Sequence, residues 1–403
     1  MSVPERFSPG TFSPEPAQAP ASTALPADTL ILDGPDSVTA LGGPAGLLTA
    51  LQRVLDRPGP AVVVATSGST GRPKRTVLST ESLRASADAT AEHTGGPGQW
   101  LLCLPSHYVA GVQVLVRSAL ADTEPVIMTG DHFTVERFVA AGSQLTHPTR
   151  YVSLVPTQLQ RLMSAATENA TDQAVAQALR SFTAILLGGS AASPALLEQA
   201  RELGARVVTT YGMSETAGGC VYDGAPLPGV RVHLEQGDQS EPGRIWLGGD
   251  VVTDGYLDDP DQTARHVFTD GDGTRWYRTD DLGELATDGS SKVLRVISRA
   301  DDVIVTGGVK VSAGVVRTVL VKDPRVQDAV VVALPDEVWG QRIVALVVPR
   351  TAGDGQALER ELSTAVRDAA GAAAVPKDWR TRHEIPLLAT GKPDLAAVRS
   401  LFA

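Results

Sequence analysis

The sequence predicts an α/β protein. It reads as a large N-terminal domain of mostly parallel strands flanked by helices, a small β subdomain, and a small α+β domain at the C-terminus. Three observations predict this. From about residue 30 to 250, short apolar runs alternate with helical stretches, the pattern of βα units and a largely parallel sheet. Between 226 and 300 the texture changes to Gly, Asp and short alternating runs such as Gly243-Arg-Ile-Trp-Leu-Gly and Lys292-Val-Leu-Arg-Val-Ile, which suggest hairpins. From about 300 a unit of roughly 100 residues begins with strands and helices of its own.

In chain order, residues 1–28 are rich in Pro, Ser and Ala without periodicity and read as disordered. Strands are expected at 61–65, 100–104, 125–128, 151–155, 183–187 and 205–210, each a short apolar run rich in branched residues. Helices are expected at 44–56, 79–92, 109–120, 133–141, 157–165, 172–180 and 194–203. The C-terminal unit reads as a strand at 302–306, a helix at 312–321, strands at 328–334 and 342–348, and a helix at 356–370. The expected division is therefore 1–28, 29–300 and 301–403, with no internal repeat.

The chain has 403 residues, 42% hydrophobic and 20% charged, as an ordinary globular protein with a sizeable core would. A net charge of −11 without a basic stripe argues against nucleic acid as a partner. No apolar run reaches the roughly 18 residues of a membrane span, so membrane insertion is not expected. The N-terminus lacks a basic region followed by an apolar one, so no secretory signal is expected. Cys103 and Cys220 are the only cysteines; two distant thiols suit a reducing cytoplasm, the expected location. The seven histidines are scattered without a His-Glu-x-x-His pattern, so a zinc site is not expected. Only six lysines (74, 292, 310, 322, 377 and 392) stand among 35 basic residues, and Lys74 and Lys392 lie in Gly/Pro-flanked loops.

Six segments carry chemistry. Thr66-Ser-Gly-Ser-Thr-Gly-Arg-Pro-Lys74 follows the first buried strand. Its glycines let backbone N–H groups approach an anion, its hydroxyls add donors, and Lys74 adds a point charge. It is not a Walker A motif, because Lys74 follows Pro73 and precedes Arg75; a surface turn is the plain alternative. Gly188-Gly189-Ser190 after a strand could pass backbone beside a flat ring, or be a simple βα turn. Tyr211-Gly-Met-Ser-Glu-Thr216 places one acid in a Gly/Ser/Thr setting, where a carboxylate near a triphosphate would hold Mg2+. It lacks the Gly-x-Ser-x-Gly of a hydrolase elbow. Tyr277-Arg-Thr-Asp-Asp281-Leu-Gly offers a carboxylate for ribose hydroxyls, an acid–base pair, or a solvated turn. Arg299-Ala-Asp301 runs into Gly307-Gly308 at the expected boundary, as a linker with a hairpin would. Gly391-Lys392-Pro393 presents an ammonium on a late loop, whose plain reading is a solvated tail lysine.

In this order, these segments resemble the acyl-adenylate-forming superfamily of acyl-CoA synthetases, adenylation domains and luciferases, over about residues 58–395. A narrower resemblance lies in Leu104-Pro-Ser-His-Tyr-Val-Ala-Gly-Val-Gln-Val-Leu-Val-Arg-Ser118 and in 211–224. Both look like the short actinobacterial branch of o-succinylbenzoate–CoA ligases, which serve menaquinone biosynthesis. Another aryl- or acyl-CoA ligase is the alternative.

The resemblance implies ATP, Mg2+ and coenzyme A as cofactors and small-molecule substrates, and it leaves a homodimer open. It implies that a carboxylate attacks the α-phosphate of ATP, and that the CoA thiol then displaces AMP. It implies Thr66, Ser67, Gly68, Ser69, Thr70, Gly71 and Lys74 at the β- and γ-phosphates, Thr216 at the α-phosphate, and Glu215 at the metal. Gly188, Gly189, Ser190, Tyr211 and Gly212 would flank adenine and acyl group, and Asp281 and Arg299 would hold the ribose. Lys392 would bridge the reacting carboxylate and the α-phosphate, from a mobile C-terminal lid that turns about Asp301. Gly307 and Gly308 would line the thiol's tunnel, and His107 would border the acyl pocket. For the substrate's second carboxylate the candidates are Arg117 and Arg150, with surface cations as the plain reading. The chain departs from the family pattern at Asp280 and Ser298, where Gly is usual, at Ala313-Gly-Val-Val316, which lacks a common Glu, and at Lys310.

Overall fold

Three groups of strands and a separate C-terminal sheet organise the chain, seen in a computed structural model that describes residues 12–21, 24–66, 74–130, 132–168, 172–235, 242–288, 291–350, 355–388 and 392–402. In the largest sheet, strands Val126–Ile127, Gln99–Leu102, Arg150–Leu154, Ala184–Leu187 and Val207–Met213 run parallel in that spatial order. Gly218–Tyr222 and Ala225–Pro226 extend it antiparallel. Both faces of this sheet are covered. Leu102, Tyr151 and Leu186 point into one core with Leu115 and Val112, while Leu101, Val152, Ile185 and Leu187 point into another with Phe138, Leu159 and Phe182. Burial on both sides explains why these strands read as continuous apolar runs rather than alternating ones.

The helices between them start at side-chain caps. Ser79 accepts from Ser82 N–H ahead of helix Thr80–Thr94, Thr134 caps Val135–Gly142, and Ser193 caps Pro194–Glu202. All seven helices expected between 44 and 203 are present within a few residues of their expected ends.

A second sheet holds the Pro60–Thr66 strand, paired parallel with Leu30–Leu32 and antiparallel with Lys74–Ser79, which in turn pairs with Gly255–Tyr256. The residues beyond Lys74 are thus the return strand of a hairpin, which the sequence reading did not include. The β subdomain is antiparallel, built on Arg231–Glu235, Gly243–Gly248, Val267–Thr269, Arg275–Asp288 and Ser291–Arg299.

Part of the segment expected to be disordered is tied to that subdomain. Glu15–Pro16 pairs with Phe268 and Thr269, and the Phe12 ring stacks 4.1 Å from His233, edge-on to Trp246 and Trp276. One aromatic inserted among three others, plus a two-residue ladder, opposes the entropy of a Pro/Ser/Ala-rich stretch. Residues 1–11 lie outside the described residues.

In the C-terminal unit, Val326–Asp336 and Gly340–Pro349 pair antiparallel, and Asp378–Thr381 joins in parallel. Alternation sorts the faces: Val331, Ala345 and Val347 pack under helices Ala313–Lys322 and Gly355–Ala370, while Val330, Val332, Val344 and Leu346 pack against Val398 and Phe402. A hairpin, Val303–Thr306 with Val309–Ser312, precedes the first of those helices. Its two turn residues, Gly307 and Gly308, have φ of +56° and +79°, the left-handed pair that a two-residue hairpin loop demands.

Candidate active site

The carboxyl end of the last parallel strand is joined, through Glu215 and Tyr256, to the hairpin strand Lys74–Ser79, and the carboxyl ends of strands are where α/β sheets bind ligands. Thr66 and Lys74 are register partners at the mouth of that hairpin, and the Thr66 hydroxyl donates to Lys74 O at 3.3 Å. Ser67, Gly68, Ser69, Thr70 and Gly71 lie outside the described residues. The Lys74 ammonium stands 5.3 Å from the centroid of the Tyr256 ring, a cation over a π face.

Tyr256 leads from the hairpin to Glu215. Glu215 sits on the single turn Ser214–Thr216 that ends the Val207–Met213 strand, and is 7% exposed. The Tyr256 hydroxyl donates to its Oε1 at 2.8 Å and lies 3.0 Å from the Tyr277 hydroxyl. Thr253 N–H donates to the Glu215 carbonyl at 2.8 Å, so backbone and side chain are held from the same 253–256 segment. Burial, and after it the Glu215 charge, push both phenols above their ordinary range, so they are neutral donors.

The second centre is Asp281, 8% exposed on the long strand Arg275–Asp288. The Tyr211 hydroxyl donates to Asp281 Oδ2 at 2.7 Å, and Arg299, its register partner on the next strand, donates to Oδ1 at 3.3 Å. Burial raises the Asp281 carboxyl above its ordinary value; Tyr211 and Arg299 pull the other way. Arg299 also holds Asp301 with two bonds, at 2.8 and 3.0 Å, and so joins the β subdomain to the segment expected to be a hinge. Asp280, a departure from the family pattern, ion-pairs with Arg244 at 3.3 Å and approaches Arg299 at 3.9 Å.

Gly188, Gly189 and Ser190 follow the Ala184–Leu187 strand at the same edge, beside Thr210 of the neighbouring strand. Gly212 is required by close approach: a Cβ there would lie 2.2 Å from Gly218 O across the strand pair. His107 precedes the helix Val109–Leu120, half-buried against Tyr108, and burial lowers its pKa, which favours the neutral ring.

Four expected residues stand differently. Thr216 is fully buried, and its hydroxyl donates to Gly218 O at 2.8 Å while accepting Met213 N–H at 3.0 Å. Its hydroxyl is engaged in closing the turn; Ser214, on the same turn, is half-buried. Lys392 is exposed beside the Leu387–Pro393 bridge, where its carbonyl accepts Leu388 N–H, and no contact among the described residues joins it to Glu215. Arg117, near the far end of its helix, lies over Trp100 at 4.9 Å and donates to the Thr90 hydroxyl. Arg150 is the first residue of its strand and donates to His147 O at 2.8 Å. Both arginines are at the amino edge of the sheet, opposite Glu215, which removes them from an acyl pocket.

Sequence reasoning missed Tyr256, and the Tyr277 side chain, as partners of Glu215. A tyrosine between Gly255 and Leu257 carries no chemical signal; only the pairing of Tyr256 with Thr76 brings it under Lys74.

Residues 14–257 match the family model described as AMP-binding enzyme. The chain belongs to this family. Residues 316–392 match its C-terminal domain model. A probable 2-succinylbenzoate–CoA ligase of Mycobacterium tuberculosis (strain ATCC 25618 / H37Rv) is 40% identical over 349 residues, with 85% of each chain covered. Among solved structures, o-succinylbenzoate CoA synthetase (MenE) from Bacillus subtilis, in complex with the acyl-adenylate intermediate OSB-AMP, is similar with a TM-score of 0.66 and 26% identity. That match covers 83% of this chain and 68% of that one. The amide bond synthetase McbA from Marinactinospora thermotolerans matches with a TM-score of 0.70 and 28% identity, covering 86% and 70%. The family's expected fold, a large N-terminal and a small C-terminal domain, is the fold observed.

Proposed function

We propose that the protein is a 2-succinylbenzoate–CoA ligase, an AMP-forming acid–thiol ligase using ATP, Mg2+ and CoA. The observation that carries the reading is that Tyr256 joins Lys74 to Glu215 while Tyr211, on the strand leading to Glu215, bonds Asp281, in a chain 40% identical to a probable ligase of that name. A substrate carboxylate attacks the α-phosphorus and pyrophosphate leaves; the CoA thiol then attacks the acyl carbon, and AMP leaves. Such chemistry needs alignment and charge neutralisation more than proton transfer.

The residues fit those tasks. Lys74, at the end of the glycine-rich loop, is placed to neutralise the leaving β- and γ-phosphates. Glu215, whose Oε1 accepts from Tyr256, would hold Mg2+ with the remainder of its carboxylate. Mg2+ when bound supplies positive charge at the phosphate oxygens. Ser214 replaces Thr216 as the hydroxyl for the α-phosphate. Asp281, oriented by Tyr211 and Arg299, accepts from ribose hydroxyls. Gly188, Gly189 and Ser190 give adenine a flat wall. We place the domain boundary at 300–301, where Arg299 grips Asp301, and assign Lys392 to the reacting carboxylate after rotation there. Gly307 and Gly308 on the exposed hairpin then serve the thiol arm. The two free thiols suit a cytoplasmic enzyme.

Pyrophosphate release from ATP over a panel of acids tests the reading. Release with 2-succinylbenzoate, followed by thioester on adding CoA, is expected. Release with benzoates or fatty acids but not with 2-succinylbenzoate would overturn the substrate, and silence with every acid would overturn the ligase.

A further inference from the structure

We infer that Tyr256 is a positioning residue that aims the Glu215 carboxylate, and that Tyr277 fixes the direction of its proton. The inference rests on the reading of Glu215 as the Mg2+ ligand. Each phenol has a single proton, and an ionised carboxylate can only accept. The 2.8 Å bond from Tyr256 to Glu215 Oε1 therefore takes the Tyr256 proton. The 3.0 Å contact between the two hydroxyls can then be made only by the proton of Tyr277. The order is single: Tyr277 donates to Tyr256, and Tyr256 donates to Glu215. Each donor in such a chain polarises the next.

The packing leaves neither ring free to turn away. Tyr256 is fully buried in a two-residue strand bonded to the strand that begins at Lys74, with the Lys74 ammonium over its face. Tyr277 is 5% exposed, flanked in the sheet by Leu247 and Val267, and His266 stacks on its ring at 5.8 Å. His266 is itself held through Nδ1 to Arg278 O at 2.9 Å. The same segment grips Glu215 a second time through Thr253 N–H, while the Thr253 hydroxyl donates to Val77 O at 2.6 Å. Segment 253–256 thus ties the hairpin bearing Lys74 to the carboxylate, and by engaging one oxygen it would leave the other to hold a bound cation. Removing the Tyr256 hydroxyl should free Glu215 to rotate without disturbing Lys74.

The test is ATP binding by calorimetry without acid substrate, in excess Mg2+ and in EDTA; the ratio of the two affinities is the metal's gain. Tyr256→Phe keeps the ring under Lys74. We expect it to lower the gain about tenfold, the size of one lost hydrogen bond to a charged group, with the EDTA affinity unchanged. Tyr277→Phe should lower it in the same sense and by less. Glu215→Gln should abolish the gain. A gain intact in Tyr256→Phe but lost in Glu215→Gln would overturn the inference and leave the metal reading standing. An equal loss with and without Mg2+ in Tyr256→Phe would also overturn it, because the hydroxyl would then act on the nucleotide wall. A gain intact in Glu215→Gln would overturn both.

Discussion

Asp281 shows how a single residue's surroundings set a measurable property. Burial raises its carboxyl, and the Tyr211 hydroxyl and the Arg299 guanidinium lower it, with burial prevailing. Only the ionised form accepts from both ribose hydroxyls, so ATP use should fail as pH falls through this raised value, above the ordinary aspartate range. Arg299→Met removes a lowering influence and should move the acid limb of kcat/KM for ATP to higher pH; a limb that stays in place would contradict Asp281 as the ribose group. For stability the sign is opposite: a carboxyl raised in the folded state costs stability above its unfolded pKa, and acidification relieves that cost. Thr216 and Ser214 separate structure from chemistry on one turn. Thr216→Val should cost about 1–3 kcal/mol in denaturant unfolding, since it strands a buried carbonyl and N–H. Ser214→Ala should leave unfolding unchanged and slow pyrophosphate release. Arg117 offers a third case. Its buried Nε has no hydrogen-bond partner, and burial lowers its pKa. A desolvation cost of several kcal/mol stands against a cation–π contact of about 2 kcal/mol and one hydrogen bond. The terms nearly cancel, so Arg117→Met should shift the melting temperature little and leave KM for the acid unchanged. A raised KM at constant stability would return the guanidinium to the acyl pocket.

At the scale of elements, legibility in the sequence followed burial. Strands such as Ala184–Leu187, covered on both faces, are continuous apolar runs, and helices such as Pro194–Glu202 carry both cap and periodicity, so each could be read locally. What could not be read is held by partners distant in sequence. Lys74–Ser79 is polar at its start and becomes a strand because Thr66 and Tyr256 pair with it. Phe12 sits in a Pro/Ser/Ala-rich stretch and is ordered by His233, Trp246 and Trp276, more than 200 positions away. The site divides the same way: Glu215, Asp281 and Lys74 announce themselves as charges among glycines, whereas Tyr256 is silent until the sheet brings it to Glu215. The hairpin at 303–312 yields a prediction of its own. An alanine at 307 would hold φ at +56° against a strain of about 1–2 kcal/mol and set a Cβ 2.7 Å from the Trp339 ring. Gly307→Ala should therefore distort the hairpin tip and slow thioester formation from supplied acyl-adenylate, while pyrophosphate release persists. Equal loss of both steps would take the hairpin out of the thiol's path.

At the scale of the whole molecule, the decisive arrangement is the distance in role between two lysines. Lys74 is fixed by a strand pair to the wall that holds Glu215, whereas Lys392 stands exposed on the C-terminal unit, away from that wall. If Lys392 serves the reacting carboxylate, as proposed, its unit must move, and at the proposed boundary Arg299 bonds Asp301 twice and Asp281 once. The Arg299–Asp301 pair is half-exposed, individually weak and able to exchange as the segment turns. On the proposed mechanism, rotation there would carry Lys392 in for the first half-reaction, and take it out while the Val303–Ser312 hairpin comes forward for the second. The two halves should then fail separately. Lys392→Ala should abolish pyrophosphate release with 2-succinylbenzoate, because no other cation on that unit is assigned to the attacking carboxylate. The same variant, given the acyl-adenylate and CoA, should form thioester at close to the parent rate, since that step is proposed to run with Lys392 withdrawn. Single-turnover assays of each half, on the same preparation, read this directly. Equal loss in both would mean that Lys392 supports the fold of its unit, and a surviving first half would mean that the carboxylate is aligned by groups of the N-terminal domain alone.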